Sequence, residues 1–112
     1  MTDQISREIL LAFWKVHILH HAQEQRIYGQ WLLEELRRHG FQVSPGTLYP
    51  LLARMEHQGW LRMVKNADND RSAKARRNYV LTSKGAKLLT ALRRQVEELH
   101  REVVRDAQRK GR

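Results

Sequence analysis

The segment SPGTLYPLLARMEHQG, from Ser44 to Gly59, constrains the fold of this chain more than any other stretch. Its apolar residues recur with the i, i+3, i+4, i+7 spacing of a single helix face, at Leu48, Leu51, Leu52 and Met55. Ser44 can cap this helix by accepting a hydrogen bond from the backbone N–H of Thr47, and Pro45 suits the first helical position. With Gly59 as a C-terminal stop, the sequence predicts a helix over Ser44–His57.

Pro50 lies inside this predicted helix. Its ring removes one backbone hydrogen bond and crowds the carbonyl group of Gly46, at a cost of about 3 kcal/mol in an ordinary helix. It also disfavours helical geometry at Tyr49. We therefore expect a bent or loosened first turn, in a helix that its apolar face holds in place.

The opposite face of this helix combines little bulk with no acidic side chain. At about 100° per residue, it comprises Gly46, Tyr49, Pro50, Ala53, Arg54 and His57. Such a face can approach a DNA duplex closely, as recognition helices do when their N-terminal residues contact base edges in the major groove. The free N–H groups of the helix N-terminus can also bind phosphate. The pattern predicts a DNA-facing surface; a surface helix without a partner is the alternative.

The elements around this helix follow the order of a winged helix-turn-helix domain. They are predicted as helices over Ser6–Gln23 and Tyr28–His39, strands over Leu61–Lys65 and Asn78–Thr82, and a helix from Ser83 to about Arg109. The predicted fold is therefore mainly α, with a small two-stranded antiparallel hairpin and a long C-terminal helix. We expect a DNA-binding domain over residues 1–82, and a dimerisation helix with a basic tail over residues 83–112.

The charge of the chain supports a polyanionic partner. Twenty-one Lys and Arg residues against twelve Asp and Glu residues give a net charge of +9, which favours nucleic acid first and an anionic membrane surface second. The segment between the two predicted strands adds four cations, Arg71, Lys74, Arg76 and Arg77. A basic wing tip of this kind contacts phosphates or the minor groove, whereas a solvated loop is the alternative reading.

Several classes of protein are disfavoured by the sequence. The chain has no cysteine, which excludes disulfides and thiolate chemistry and fits a reducing cytoplasm. The apolar runs are too short to cross a bilayer, and the N-terminus lacks the pattern of a signal peptide. No acid, base and orienting group share a plausible arrangement, so we expect a cytoplasmic protein that is not an enzyme and needs no cofactor.

The last predicted helix carries an apolar seam with heptad spacing, formed by Leu89, Leu92, Val96, Leu99 and Val103. A winged helix needs only one extra face to pack on, and an exposed stripe beyond it would be an interaction site. The seam predicts a homodimer, although the helix could also fold back over its own domain. Two copies would read an inverted repeat of DNA with half-sites about 10 bp apart.

Two segments together resemble the PadR family of bacterial transcriptional regulators. SPGTLYPLLARMEHQGWL is similar to the family pattern S-x-G-T-L-Y-x-x-L-x-R-L-E-x-x-G-h-h, where h is hydrophobic, and RRNYVLTSKG is similar to R-R-x-Y-x-L-T-x-x-G. The resemblance covers roughly residues 9–89. A single helix after the wing is similar to the short subgroup of the family.

The resemblance implies a homodimeric repressor that leaves its operator when a small aromatic or amphipathic effector binds. Carried over position by position, it implies DNA contacts at Ser44, Thr47, Tyr49 and Pro50, and at Arg76 and Arg77 on the wing. A dimeric ligand- or metal-sensing adaptor that acts through protein partners is the alternative function.

The first predicted helix holds the candidate residues for sensing a ligand. Phe13 and Trp14 should lie where this helix meets the last one and are the candidate effector pocket, to which the last helix adds no aromatic residue. His17, His21 and Glu24 fall along one face and could form half of a zinc or copper site. Since no second His or Cys set matches them, we expect no metal.

Overall fold

The computed structural model describes residues 5–64 and 77–110. Within these residues the chain forms helices α1 (Arg7–Glu24), α2 (Gly29–Arg38), α3 (Pro45–His57) and α4 (Ser83–Leu99), and strands β1 (Ile27–Tyr28), β2 (Leu61–Val64) and β3 (Asn78–Leu81). Helix α4 continues as a π-helical segment, His100–Asp106, and ends in a short helix α5, Ala107–Lys110. The predicted mainly helical winged fold is confirmed, and none of the described helices combines the length and the apolar character of a membrane span.

In the described residues the sheet has three strands in the order β1-β3-β2, not the two that the sequence predicts. Strand β3 lies in the centre, with Leu81 opposite Leu61 of β2 and Tyr79 opposite Ile27 of β1, and both pairings are antiparallel. Strand β1 consists of two residues, which is too short for an alternation of apolar and polar side chains. Tyr28 accordingly has extended backbone geometry and precedes α2, although the sequence placed it inside that helix.

The core lies between α1, α2, α3 and the start of α4. The apolar face predicted for α3 is confirmed, because Leu48, Leu51, Leu52 and Met55 are fully buried. Ile18 and Leu19 of α1 and Leu89 of α4 are buried in the same cluster. Helix α3 therefore presents one face to the core and leaves the other free to contact a partner.

Most helix ends lie within a residue or two of their predicted positions, because residues next to each end mark it in the sequence. Helices α2 and α3 are followed by Gly40 and Gly59, whose φ angles of 93° and 84° favour glycine. The side-chain cap that the sequence predicted at Ser44 is not formed, because the Ser44 hydroxyl donates to Thr47 Oγ1 at 3.3 Å. Its backbone carbonyl accepts from the N–H groups of Thr47 and Leu48, as at other helix N-termini. Helix α3 continues through Pro50 without a break.

The start of α4 is locked against the start of β2. A Cβ atom on Gly85 would lie 2.2 Å from the carbonyl oxygen of Trp60, so only glycine fits this close approach. Thr82 caps α4 by accepting from the N–H of Gly85 at 3.0 Å, and its hydroxyl also donates to the carbonyl oxygen of Gly59 at 2.5 Å. These contacts set the direction in which α4 leaves the winged domain.

Candidate nucleic-acid interface

The outer face of α3 is exposed to solvent, as its side-chain pattern predicts. The exposed residues on this helix and at its cap are Ser44, Pro45, Gly46, Pro50, Ala53, Arg54 and His57. Small side chains dominate the first two turns, and the two potential cations, Arg54 and His57, lie in the last turn. A duplex can therefore come close to the N-terminal half of α3 while positive charge meets it further along.

Tyr49 does not project freely from this face. Its ring is half-buried and lies against the first turn of α2, where a Cβ atom on Gly29 would be 2.4 Å from Tyr49 Cε1. The ring therefore acts as a spacer between the two helices of the helix-turn-helix. The turn between them is also fixed by Arg37, whose Nε donates to the carbonyl oxygen of Val43 at 3.1 Å.

At the start of α3, Thr47 contacts a cation that the sequence did not indicate. Its Oγ1 accepts from Arg7 Nη2 at 3.2 Å and from the Ser44 hydroxyl at 3.3 Å. Arg7 lies 40 residues earlier in the chain, so no local spacing could have linked the two residues. The guanidinium group of Arg7 adds positive charge beside the free N–H groups of the α3 N-terminus, where a phosphate would bind.

On the wing, the structure describes one of the four predicted cations. Arg77 is half-buried, and its carbonyl oxygen accepts from the N–H of Gly29, which ties the wing to the start of α2. Burial raises the pKa of Tyr79, and the neighbouring charge of Arg77 opposes that rise. Arg71, Lys74 and Arg76 lie outside the described residues.

The seam predicted on the last helix divides into two parts. Leu89 is fully buried in the core of the chain itself and Leu92 is half-buried against it, whereas Val96, Leu99 and Val103 are 50–60% exposed. Leu89 therefore has no surface to offer a second chain, which corrects its assignment to the dimer seam. The exposed part, Val96, Leu99 and Val103, is called the distal stripe below.

A groove of about 880 Å³ runs between α1 and the distal stripe. Phe13 lines it and is exposed. Trp14 does not line it, because its side chain is buried in the core with its ring edge-to-face on Phe41 at 6.1 Å between centroids. The fold places Phe13 and Trp14 on different sides of α1, so they do not form one pocket.

The histidines of α1 take a different arrangement from the predicted one. Glu24 faces His20 and His21, at 3.4 and 3.7 Å, whereas the ring of His17 lies 5.6 Å from that of His39 at the C-terminal end of α2. Among the residues that the structure describes, two groups of side chains have the proximity that a metal ion requires: His20, His21 and Glu24, and His21, Glu35 and His39. The sequence indicated neither Glu35 nor His39, because both come from α2.

Comparisons with known proteins agree with this geometry. The family model described as the transcriptional regulator PadR-like family matches residues 18–91. The transcriptional regulator Rv3488 of Mycobacterium tuberculosis (strain H37Rv) is 48% identical over 98 residues, which cover 88% of this chain and 89% of that protein.

Solved structures of two regulators show the same fold. A PadR-like transcriptional regulator from Bacillus cereus has a TM-score of 0.74 at 28% identity, over 86% of this chain and 92% of that one. A PadR family transcriptional regulator from Eggerthella lenta has a TM-score of 0.68 at 28% identity, over 90% of each chain.

Proposed function

This chain belongs to the PadR-like family of transcriptional regulators, and we propose that it is a homodimeric repressor that leaves an inverted-repeat operator when a small effector binds. The members of this family are regulators and not enzymes. As a DNA-binding regulator without disulfides, it would act in the cytoplasm.

DNA binding is supported most strongly by the outer face of α3. It is exposed and thin at its N-terminal end, and Arg7 and Arg54 supply positive charge near its two ends. The net charge of +9 attracts the duplex over a longer range. Base edges would be contacted by Ser44, Thr47 and Pro50. Phosphates would be contacted by Arg54, His57 and the wing residues Arg71, Lys74, Arg76 and Arg77.

The distal stripe supports dimerisation. Its three side chains are 50–60% exposed in the single chain, and they line an open groove beside α1 without being covered by it. A second copy can cover Val96, Leu99 and Val103, with Leu92 at the border. The proposed division at residue 82 thus separates the DNA-binding elements from a helix whose first half packs on α1 and whose second half packs on the mate.

The groove beside Phe13 is the proposed effector site. It is lined mainly by apolar side chains, and its polar groups come from His17, His20, Arg93, Glu97 and His100, which suits a small amphipathic molecule. Because the groove touches both α1 and the distal stripe, a ligand there can change the angle between the two copies. The spacing of the two α3 helices, and with it the fit to half-sites about 10 bp apart, would then change.

The proposed function is tested by measuring how tightly the protein binds DNA duplexes from the promoter that neighbours its own gene, with random DNA as competitor. If about six or more phosphates are engaged, the affinity should fall by about 10³-fold or more between 50 and 200 mM salt. Arg54→Ala should weaken binding by about tenfold, whereas Arg94→Ala, an equal loss of charge on α4, should leave it unchanged. Equal competition by random DNA would contradict specific recognition.

A further inference from the structure

Three side chains from α1 and the end of α2 bring their ligand atoms to one point. Glu35 Oε2 lies 3.1 Å from His39 Nε2 and 3.8 Å from His21 Nε2, and one ligand atom from each residue lies within 4.8 Å of the others. Around a tetrahedral Zn²⁺ with bonds of about 2.0–2.1 Å, neighbouring ligand atoms are about 3.3 Å apart. We propose that His21, Glu35 and His39 bind a divalent transition metal ion of the Zn²⁺ type, in a site that joins α1 to α2.

The burial of the three residues suits a bound ion with one open position. The side chains of His21 and Glu35 are only 11% and 12% exposed, while that of His39 is 42% exposed. Two ligands are therefore held in place by packing, and the third lies at the entrance, where a water molecule can complete the coordination. The ring of Trp31 lies edge-to-face with that of His21 at 5.4 Å and closes the inner side.

The groups behind the ligands also fit such a site. His21 directs Nε2 towards Glu35 and Nδ1 towards Glu24, whose Oε1 lies 3.7 Å away. A carboxylate behind the second ring nitrogen is the usual arrangement for a metal-binding histidine, because it fixes the tautomer and raises the basicity of the ligand. Glu24 therefore orients His21 and is not itself a ligand.

The alternative group on α1, His20 with His21 and Glu24, is less suited to a metal ion. The side chains of His20 and Glu24 are 43% and 58% exposed, so little packing holds them in place. His20 Nδ1 also lies 3.1 Å from Arg93 Nη2. We therefore assign the ion to the group that spans two helices.

Arg38 is the competitor of the proposed ion. Its Nη2 donates to Glu35 Oε2 at 2.6 Å and its Nε to Oε1 at 3.1 Å, so the guanidinium neutralises the carboxylate when no metal is bound. A metal ion has to displace Arg38 from Oε2. Removal of this guanidinium should therefore strengthen metal binding, since both the competition and the repulsion between the two cations disappear.

The position of the site gives it a regulatory role, provided that the chain binds DNA as proposed above. The end of α2 leads into the turn before α3, and the ring of His17 bridges the site to Phe41 in that turn at 5.4 Å. A bound ion would fix the helix-turn-helix against α1, which also carries Phe13 of the groove. Metal binding would thus couple the DNA-facing surface to the surface that meets the second chain.

Binding is tested on the full chain by calorimetric titration with Zn²⁺ and by the visible spectrum with Co²⁺. One ion per chain is expected, with the intense d–d bands of tetrahedral Co²⁺. Glu35→Gln and His39→Gln should each weaken Zn²⁺ binding by about 100-fold or more, because each removes a ligand. His100→Gln, an exposed histidine elsewhere, should change nothing. Absence of saturable binding in the wild-type chain would overturn the proposal, whatever the DNA-binding result.

Two further variants separate this site from its neighbours. Arg38→Gln should tighten Zn²⁺ binding several-fold, and His20→Gln should leave it unchanged. Weaker binding in His20→Gln, together with unchanged binding in His39→Gln, would place the ion on α1 alone and overturn the assignment. Far-ultraviolet circular dichroism of each variant checks that the helices are intact, so that a lost affinity is not mistaken for a lost fold.

Discussion

The two halves of α4 carry the same apolar spacing in opposite surroundings. In the proximal half, Gly85 and Leu89 are buried against the winged domain, and Thr82 caps the helix. In the distal half, Val96 and Leu99 are exposed, and so is Val103 in the π-helical segment that follows. The proximal half therefore takes its stability from the chain itself, whereas the apolar face of the distal half is exposed in the single chain and is the face that we propose a second copy covers.

This difference shows what a heptad pattern can and cannot establish. Spacings of three and four residues identify one apolar face along the whole helix, but they do not say what covers it. Isolated helices are marginal in water, so the distal half would gain most from a second chain in the proposed dimer. A π-helical segment at His100–Asp106 also interrupts the α-helical repeat just beyond Leu99, and such segments are frequent at functional sites.

The largest effect is expected at the root of the proximal half. In Gly85→Ala, the new Cβ would lie 2.2 Å from the carbonyl oxygen of Trp60, a backbone atom that cannot move aside. We expect the free energy of unfolding to fall by more than about 3 kcal/mol in urea titrations. The control is Gly46→Ala, whose Cβ meets nothing closer than 3.8 Å; it should be neutral or stabilising by up to about 1 kcal/mol. Equal losses in the two variants would contradict the close packing of α4.

A second experiment compares Leu89→Ala with Leu99→Ala, the same substitution in the two halves. Leu89 is fully buried, so its truncation should cost about 3 kcal/mol of unfolding free energy at every protein concentration. Leu99 is exposed in the single chain. The unfolding free energy lost in Leu99→Ala should therefore become smaller as the protein is diluted and dimers dissociate. Thermal unfolding over a hundredfold range of concentration measures both. If the loss of unfolding free energy did not depend on protein concentration in either variant, the distinction between the two halves of α4 would be contradicted.

The smallest effect is expected at the cap of α4. Thr82→Ala removes the side chain that accepts from the N–H of Gly85, and should cost about 1 kcal/mol of unfolding free energy. Thr90→Ala is the matched control, since Thr90 Oγ1 donates only to the carbonyl oxygen of Ala86 within the same helix and alanine is a better helix former. A larger loss in Thr90→Ala than in Thr82→Ala would show that capping does not anchor the helix.

Local patterns were enough to predict much of the winged domain. The buried face of α3, its exposed opposite face and the glycines after α2 and α3 all follow from spacings within one helix. The resemblance to the PadR family, carried by two short segments, is confirmed by the family match and the related structures. The prediction of a side-chain cap at Ser44 was wrong because its hydroxyl bonds to the side chain of Thr47 and not to a backbone N–H group.

What could not be predicted depends on contacts between distant segments. Arg7 meets Thr47 across 40 residues, and His21 meets Glu35 across two helices, so no spacing in the sequence brings either pair together. Strand β1 exists because β3 offers it a hydrogen-bonding edge and not because two residues have a pattern. For the same reason Leu89 and Leu99 read alike in the sequence, although only tertiary packing decides which of them is buried.

The central claim, that the distal half of α4 joins two chains, is tested most directly by sedimentation equilibrium. The wild-type chain should have twice its mass of 13.3 kDa, and Leu99→Asp should sediment as a folded monomer because a charge would be buried in the interface. Thr90→Asp makes the same change in charge at an exposed position on the opposite side of α4 and should remain a dimer. A wild-type monomer, or a dimer that survives Leu99→Asp, would contradict the account.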